Sequence, residues 1–125
     1  MVCLDTSVLI DYLRGDAGII TLLKSIAKDE KLSTTSITEY ELLKHGEKIK
    51  REAAAELLST LKIYYFDSES ADEASRLYRK LREQGKEINE NDILIAGISF
   101  SNHDYILTRD PDFKSIGESN RVQIV

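Results

Sequence analysis

Two short hydrophobic runs, one near each end of the chain, lead directly into acidic residues. Val2–Leu4 precedes Asp5, and Tyr105–Thr108 precedes Arg109 and Asp110. Apolar runs of this length are typical of buried strands. In an open α/β sheet, ligands bind at the edge formed by the carboxyl ends of the strands. The two runs therefore predict a pair of carboxylates at a ligand-binding edge.

Between these runs, the hydrophobic pattern alternates between strands and helices without internal repeats. Further strands are predicted at residues 31–35, 62–66 and 122–125. Helices are predicted at 7–14, about 19–26, 37–45, 51–61 and about 91–100. A further helix is predicted to begin at a capping box formed by Ser70 and Glu73 and to end before Gly85. Short strands separated by helices predict an α/β fold: a five-stranded parallel sheet between two helical layers.

Length and composition restrict the class of protein further. The 125 residues suit one domain spanning 1–125, and no apolar stretch approaches the roughly 20 residues that cross a bilayer. Met1 leads straight into a strand with no signal peptide, and Cys3 is the single cysteine, so we expect a cytoplasmic protein without membrane association. The net charge of −5 argues against nonspecific binding to nucleic acid, unless the acids are gathered and neutralised by cations.

Each acid also fits a local structural role when it is considered alone. Asp5 can cap the helix that follows it, and Asp92 lies where a charge favours a helix amino terminus. The other candidates are Glu39 and Glu41, which complete capping boxes with Ser36 and Thr38, and Asp110 and Asp112, which flank Pro111.

These local roles do not explain why the acids should meet at one edge of a sheet. Helices that follow parallel strands begin where the strands end, which brings Asp5, a carboxylate of Glu39 or Glu41, and Asp110 together. The linker 85–91 returns the chain to the same edge for Asp92, because about six extended residues span ~20 Å, roughly the length of a twelve-residue helix. Clustered carboxylates repel one another unless protons or cations intervene. An oxygen-only set without zinc-type spacing of histidine or cysteine favours Mg²⁺ or Mn²⁺.

Four segments, in order, resemble the motifs of PIN-domain nucleases, and their length and spacing are especially similar to those of VapC toxins from prokaryotic toxin–antitoxin pairs. The segments are Asp5-Thr6-Ser7-Val8-Leu9-Ile10-Asp11, Ser36-Ile37-Thr38-Glu39-Tyr40-Glu41-Leu42-Leu43, Asn91-Asp92-Ile93-Leu94-Ile95-Ala96 and Thr108-Arg109-Asp110-Pro111-Asp112-Phe113. The resemblance covers nearly the whole chain and implies a three-layer PIN-like fold.

The resemblance implies an acidic quartet that holds a metal and acts in catalysis. Its members are Asp5, Glu41, Asp92 and Asp110, with Asp5 and Asp92 as the first candidates for direct ligands. Two members of the quartet have alternatives. Glu39 is the alternative to Glu41, because Gly46 is one residue farther from Glu41 than the family spacing. Asp112 can share or replace the role of Asp110. Thr6 or Thr108 can contribute a hydroxyl that positions a carboxylate or water.

The implied activity is that of a Mg²⁺- or Mn²⁺-dependent endoribonuclease that leaves a 5′-phosphate and a 3′-hydroxyl. The implied partners are an RNA substrate, a cognate antitoxin that occupies a groove near the active site, and a second copy of the chain in a homodimer. Two basic clusters are candidates for guiding RNA, or are solvated helix faces: Lys44, His45, Lys48, Lys50 and Arg51, and then Arg76, Arg79, Lys80, Arg82 and Lys86.

Three other functions remain open from the sequence. A PIN nuclease can act in RNA processing and not as a toxin, and a PIN fold can be retained only to bind protein. A signalling receiver domain also has five parallel strands and an acidic Mg²⁺ pocket, with Asp67 as its phosphoacceptor and Thr108 as its switch. The receiver hypothesis lacks paired acids after the first strand and a lysine after the fifth.

Overall fold

The sheet consists of five parallel strands, as predicted. The computed structural model describes residues 1–117 and 120–125, and the strands are β1 (Val2–Leu4), β2 (Leu32–Thr35), β3 (Lys62–Tyr64), β4 (Tyr105–Thr108) and β5 (Val122–Ile124). Their spatial order is β3-β2-β1-β4-β5, and every neighbouring pair runs parallel. The predicted strand positions are confirmed, with ends that differ from the observed ones by up to two residues.

Six α-helices and one short 3₁₀ helix connect the strands. They are α1 (Thr6–Leu13), α2 (Ala17–Ala27), α3 (Ser36–Leu43), α4 (Lys48–Leu58), α5 (Ser68–Glu83), α6 (Glu90–Ser101) and the 3₁₀ helix Pro111–Ser115. The predicted helices are all present, although α4 begins and ends three residues earlier than the predicted range 51–61. No helix in the described ranges is both long and apolar enough to cross a membrane.

The helices form two layers, each with its own apolar core against the sheet. On one face Val2 and Leu4 of β1 pack with buried residues of α1 to α4, among them Leu9, Leu23 and Leu58. The opposite core is formed by Ala74, Leu81, Ile93, Ala96, Phe100, Ile106, Phe113, Ile116 and Val122. The predicted α/β/α layering is confirmed, because α5 and α6 cover the face of the sheet opposite α1 and α2.

The capping boxes predicted at two helix starts are wrong. The cap of α3 is Thr35, whose hydroxyl accepts from the amide of Thr38 at 3.1 Å, so neither Ser36 nor Thr38 caps the helix. At α5 the cap is Asp67, whose carboxylate accepts from both the amide and the hydroxyl of Ser70 at 2.8 Å. In both helices the residue directly before the first helical residue is the cap, and its side chain accepts from the amide three positions later.

Helices α5 and α6 approach each other most closely at Gly97. A methyl group there would lie 2.7 Å from Cβ of Ala74, 2.8 Å from the carbonyl oxygen of Ser70 and 2.9 Å from the amide nitrogen of Ala74. Two of these three atoms belong to the backbone and cannot rotate away. The missing side chain of Gly97 therefore sets the distance between the helices, and with it the position of α6.

We expect Gly97→Ala to destabilise the fold. Overpacking a tight contact against backbone atoms costs about 1–3 kcal/mol, while alanine in a helix gains about 1 kcal/mol over glycine, so the net loss should be about 1 kcal/mol and at most about 2 kcal/mol. Gly18→Ala is the matched control, because Gly18 is an exposed residue of α2 whose nearest contact would be 3.4 Å. Urea unfolding should show Gly18→Ala unchanged or stabilised; equal stability of the two variants would contradict the close approach.

The strand order places a ligand-binding crevice next to β1. The chain moves from β1 outward to β2 and β3, and then returns to β4 on the other side of β1. Ligands in open α/β sheets bind at this kind of reversal, outside the carboxyl ends of the strands. Leu4 pairs with Leu107, so Asp5 and Thr108 emerge side by side at that edge.

Candidate active site

Asp5 is the most deeply buried of the predicted site acids. It occupies the cap position of α1 without making a side-chain cap bond, and only 3% of its surface is exposed. Its Oδ2 instead accepts hydrogen bonds from Ser7 Oγ and Thr108 Oγ1, both at 2.8 Å. Burial raises the pKa of the Asp5 carboxyl, and the two hydroxyl groups oppose that rise. The local role of helix cap is thus not realised by this side chain.

Thr108 links Asp5 to the loop that carries the last two candidate acids. While its hydroxyl donates to Asp5, its oxygen accepts from the amide of Asp110 at 3.0 Å. Asp110 Oδ1 in turn accepts from the amide of Asp112 at 2.9 Å and caps the 3₁₀ helix. Asp110 is half-buried and Asp112 is exposed. Of the two, Asp110 is the one tied directly to the partner of Asp5.

Glu41 reaches the same edge from α3 and is oriented by α1. Its Oε1 accepts a hydrogen bond of 2.8 Å from the hydroxyl of Thr6, which follows Asp5 in the chain. Thr6 also lies 3.0 Å from the hydroxyl of Thr38. Glu39 is also half-buried, but the Thr6 hydroxyl meets the carboxylate of Glu41.

Asp92 lies in the first turn of α6, close enough to the other site acids for their charges to raise the pKa of its carboxyl. Its pKa is raised to about 7, first by burial and then by the negative charges of Asp5, Asp110, Glu41 and Asp112, in that order. The helix itself is capped by the side chain of Asn89, in agreement with the predicted helix start. Acids from three other parts of the chain, namely the end of β1, helix α3 and the loop after β4, therefore act on the carboxyl group of Asp92.

The structure thus brings together Asp5, Glu41, Asp92 and Asp110, with Asp112 at the margin. Glu39 is not among the acids that contribute most to the raised pKa of Asp92. In the ranges 1–117 and 120–125, no three side chains of Asp, Glu, His or Cys are already arranged to hold a metal ion. The pocket is a concentration of negative charge that lacks a preformed three-ligand cage in the described residues.

Two further acids at this end of the sheet have a structural role. Arg109 forms ion pairs with Asp11 at 3.3 Å and with Asp16 at 3.4 Å. The backbone amide of Arg109 also donates to Ser7 Oγ at 3.0 Å. These contacts hold the loop after β4 against the turn between α1 and α2, which keeps Thr108 beside Asp5.

Two hydroxyl residues in this network were not among the predicted site residues, namely Ser7 and Thr38. Their partners are set by tertiary contacts, and only the placement of Ser7 two residues after Asp5 gave a local signal for its bond to that carboxylate. Another buried acid, Asp104, lies outside this network. The residue is 6% exposed, and its carboxylate accepts from Ser33 Oγ at 3.0 Å.

The basic clusters are mostly solvated helix faces with local partners. Lys48 pairs with Glu52 at 3.8 Å, and Arg76 pairs with Asp72 at 2.9 Å. Arg51 donates to two carbonyl groups in the turn before α4. Arg51 is half-buried and the other residues of the two clusters are exposed, and these local partners neutralise only part of the positive charge.

A cleft of about 230 Å³ lies between α1, α3 and α4 and includes Glu41 in its wall. Apolar groups of Ile10, Leu42 and Ala54 line it, together with the charged side chains of Arg14 and Lys50. Because Glu41 belongs to both, the cleft adjoins the acidic pocket.

Comparison with known proteins identifies the class that this fold and site define. The model of the PIN domain family matches residues 2–119. The chain therefore belongs to the PIN-domain family.

The similarity within that family is to VapC proteins. The chain is 32% identical to ribonuclease VapC3 of Methanocaldococcus jannaschii over 101 residues, which cover 78% of this chain and 96% of that protein. Among solved structures, VapBC2 of Rickettsia felis matches with a TM-score of 0.88 at 23% identity, over 100% of this chain and 99% of that one. VapBC-5 of Mycobacterium tuberculosis matches with a TM-score of 0.70 at 27% identity, over 98% and 95%. The VapC-like resemblance of the four motifs is confirmed.

Proposed function

We propose that the protein is a metal-dependent endoribonuclease and the toxin of a VapBC-type pair. The observation that carries the proposal is the convergence of Asp5, Glu41, Asp110 and Asp112 on the carboxyl group of Asp92. A protein gains no stability from such a cluster of like charges, because each raises the cost of ionising the others. Clusters of this kind mark functional sites. The similarity to a ribonuclease supplies the substrate class.

The donor chemistry of the pocket fits Mg²⁺ or Mn²⁺. The candidate ligands are carboxylate oxygens, which hard divalent cations prefer. Mg²⁺ keeps several of its waters and takes only one or two protein carboxylates, so it does not require a preformed cage of three side chains. When bound, the ion supplies an activated water for hydrolysis and offsets charge on the leaving oxygen.

Each side chain of the pocket has a role in this proposal. Asp5 and Asp92 would hold the ion as direct ligands, and Glu41 and Asp110 would complete the set directly or through water. Thr108 and Ser7 hold Asp5 Oδ2 from one side, which fixes the orientation of the carboxylate. The raised pKa of Asp92 means that a bound cation displaces a proton there. The products are a 5′-phosphate and a 3′-hydroxyl, and the exposed basic residues of α4 and α5 steer the RNA backbone.

The cleft between α1, α3 and α4 is the surface we assign to the antitoxin. It is apolar along Ile10, Leu42 and Ala54, and it borders the active site at Glu41. A segment with apolar anchors and one cation would therefore fill the cleft and place its charge beside the carboxylates. Solved structures of VapBC proteins share this fold. Co-purification of the protein with the product of a neighbouring gene would distinguish a toxin from an RNA-processing nuclease.

A homodimer would use a different face. Most apolar residues of α1, α2 and α4 pack in the core. Four aromatic side chains are instead exposed, namely Tyr40, Tyr65, Phe66 and Tyr78. Phe66 and Tyr78 line one depression, and the amide of Phe66 donates to Ser36 at the start of α3. We assign the dimer contact to this aromatic face, and sedimentation of Tyr65→Ser beside the wild type tests it.

The receiver-domain hypothesis is contradicted by the strand order. A receiver of the flavodoxin type places its third strand inside the sheet, but here β3 is at the edge. Asp67, the supposed phosphoacceptor, is the cap of α5 and accepts two hydrogen bonds from Ser70. Those bonds also lower its pKa.

Product analysis tests the reaction class. Purified protein incubated with structured RNAs and Mn²⁺ should give fragments with a 5′-phosphate and a 3′-hydroxyl, because water is the nucleophile. Fragments ending in a 2′,3′-cyclic phosphate would contradict the proposal, since they arise from attack by the ribose hydroxyl without an activated water.

Glutamine substitutions decide which glutamate belongs to the second motif. We expect Glu41→Gln to reduce cleavage by about 10- to 100-fold, the range typical of groups that tune a metal site, and Glu39→Gln to have little effect. The reason is that the Thr6 hydroxyl and the charge on Asp92 both point to Glu41. Initial rates at saturating Mn²⁺ provide the measurement, and a larger loss in Glu39→Gln would reverse the assignment.

A further inference from the structure

Three threonine hydroxyls form an unbroken chain that ends at the carboxylate of Glu41. Thr35 Oγ1 lies 3.4 Å from Thr38 Oγ1, Thr38 Oγ1 lies 3.0 Å from Thr6 Oγ1, and Thr6 Oγ1 lies 2.8 Å from Glu41 Oε1. The chain runs from the end of β2, through the first turn of α3, to the start of α1. It connects the acidic pocket to the interior of the fold.

Counting protons gives this chain a single direction. A carboxylate accepts only, so the one hydroxyl proton of Thr6 points to Glu41. The oxygen of Thr6 must therefore accept in its contact with Thr38, which uses the hydroxyl proton of Thr38. Thr35 then donates to Thr38 in the same sense. Every hydroxyl proton in the chain points toward Glu41.

Thr38 is the link of this chain that the fold alone does not require. Its side chain is fully buried, and a buried site of this shape would accept valine. The helix cap is supplied by Thr35, whose oxygen takes the Thr38 amide at 3.1 Å, so the Thr38 hydroxyl is not needed to begin α3. Without that hydroxyl, Thr6 would lose the donor that holds its own oxygen. The hydroxyl of Thr6 could then rotate away from Glu41.

We propose that Thr38 is a positioning residue for the reaction, acting through Thr6 to hold the Glu41 carboxylate in one orientation at the acidic pocket. The inference rests on the proposed nuclease function. Thr6 holds Oε1, which leaves Oε2 to face the other carboxylates or a cation. Ordered in this way, Glu41 does not have to be reoriented when the reaction begins. Thr38 contacts neither substrate nor metal in this arrangement.

Three variants test the assignment. Thr38→Val removes the hydroxyl at nearly constant volume, and we expect kcat to fall on the order of tenfold, the equivalent of one hydrogen bond, with KM unchanged. Thr38→Ser keeps the hydroxyl and should restore most of the rate. Ser99→Ala is the control, because Ser99 is equally buried and its hydroxyl donates to the Asp104 carbonyl at 3.0 Å, at the amino end of β4, which is the end of the sheet opposite the site acids. It should lose similar stability and no activity. Thr38→Ala replaces the valine variant if that protein does not fold.

A double-variant cycle and a crystal structure separate positioning from general destabilisation. In a Glu41→Ala background, Thr38→Val should cause no further loss of rate, because its effect passes through the missing carboxylate. The structure of Thr38→Val should show the Thr6–Glu41 bond broken or the carboxylate turned. A full tenfold loss in the Glu41→Ala background, or an unmoved carboxylate, would overturn the proposal. If the wild type cleaves no RNA with any divalent ion, the nuclease function fails, and the crystal comparison alone judges the positioning.

Discussion

Asp5→Asn is expected to lower RNA cleavage by at least about 1000-fold, because a cation site supplies several kcal/mol of transition-state stabilisation. Asp5 is the acid at the reversal of strand order and is almost fully buried. Its Oδ2 is held by Ser7 and Thr108, so the substitution removes a charge whose orientation is fixed. Single-turnover cleavage of a structured RNA at saturating Mn²⁺ measures the loss.

The fold should survive this substitution. An asparagine Oδ1 accepts the same two hydroxyl hydrogen bonds, and the change removes a buried charge whose pKa is raised by desolvation. Asp72→Asn is the control, since Asp72 is exposed on α5, pairs with Arg76 and lies outside the acidic pocket. Asp72→Asn should cleave at nearly the wild-type rate. An active Asp5→Asn would move the catalytic site elsewhere.

Asp92→Asn should make the metal-free protein more stable at pH 8 than the wild type. The folded pKa of Asp92 is about 7, above its value of 3.8 in an unfolded chain. Well below the unfolded pKa, at about pH 2, both states bind the proton and no penalty exists. As pH rises toward 7 the unfolded state loses its proton first, so the wild type loses stability, and above 7 the loss is complete.

We expect a difference of about 1–2 kcal/mol at pH 8 and almost none at about pH 2. The full shift would correspond to about 4 kcal/mol, which solvent screening of a half-buried group and a favourable charge at the α6 amino terminus both reduce. Urea unfolding of the two proteins, with EDTA present, provides the comparison.

Mg²⁺ provides a second arm of the same experiment. A cation in the pocket relieves the repulsion that Asp92 experiences, so Mg²⁺ should raise the stability of the wild type more than that of Asp92→Asn. Asp72→Asn is the control, because Asp72 is exposed on α5 and pairs with Arg76, and its effect should be small at both pH values. A wild type at least as stable as Asp92→Asn at pH 8 in EDTA would contradict the charge cluster.

The order of the elements was readable from the sequence because each strand is apolar and each helix is periodic. Strand β4 was predicted at its observed bounds, since Tyr105–Thr108 lies between polar turns. The helix starts were less well predicted. Overlapping capping-box patterns pointed to Ser36 and Thr38, but β2 runs into α3 without a loop, which makes Thr35 the cap.

The acids of the candidate site could be inferred from one topological rule, whereas the groups that orient them could not. Asp5 and Asp110 follow strands, and the carboxyl ends of parallel strands share an edge. Ser7 and Thr38 act through hydroxyl contacts to residues 101 and 32 positions away in the chain. Such distances follow from the packing of α1 against α3 and β4, which no local pattern encodes. For the same reason the sequence left Glu39 and Glu41 as alternatives.

The most direct test of the account is chelation and restoration of metal with one RNA substrate. Wild-type protein and Asp5→Asn are purified in parallel, treated with EDTA, and assayed before and after Mn²⁺ or Mg²⁺ is added. The account predicts no cleavage by either protein in EDTA, and cleavage by the wild type alone once the ion is restored. Cleavage by the EDTA-treated wild type at its full rate would contradict a metal-dependent carboxylate site.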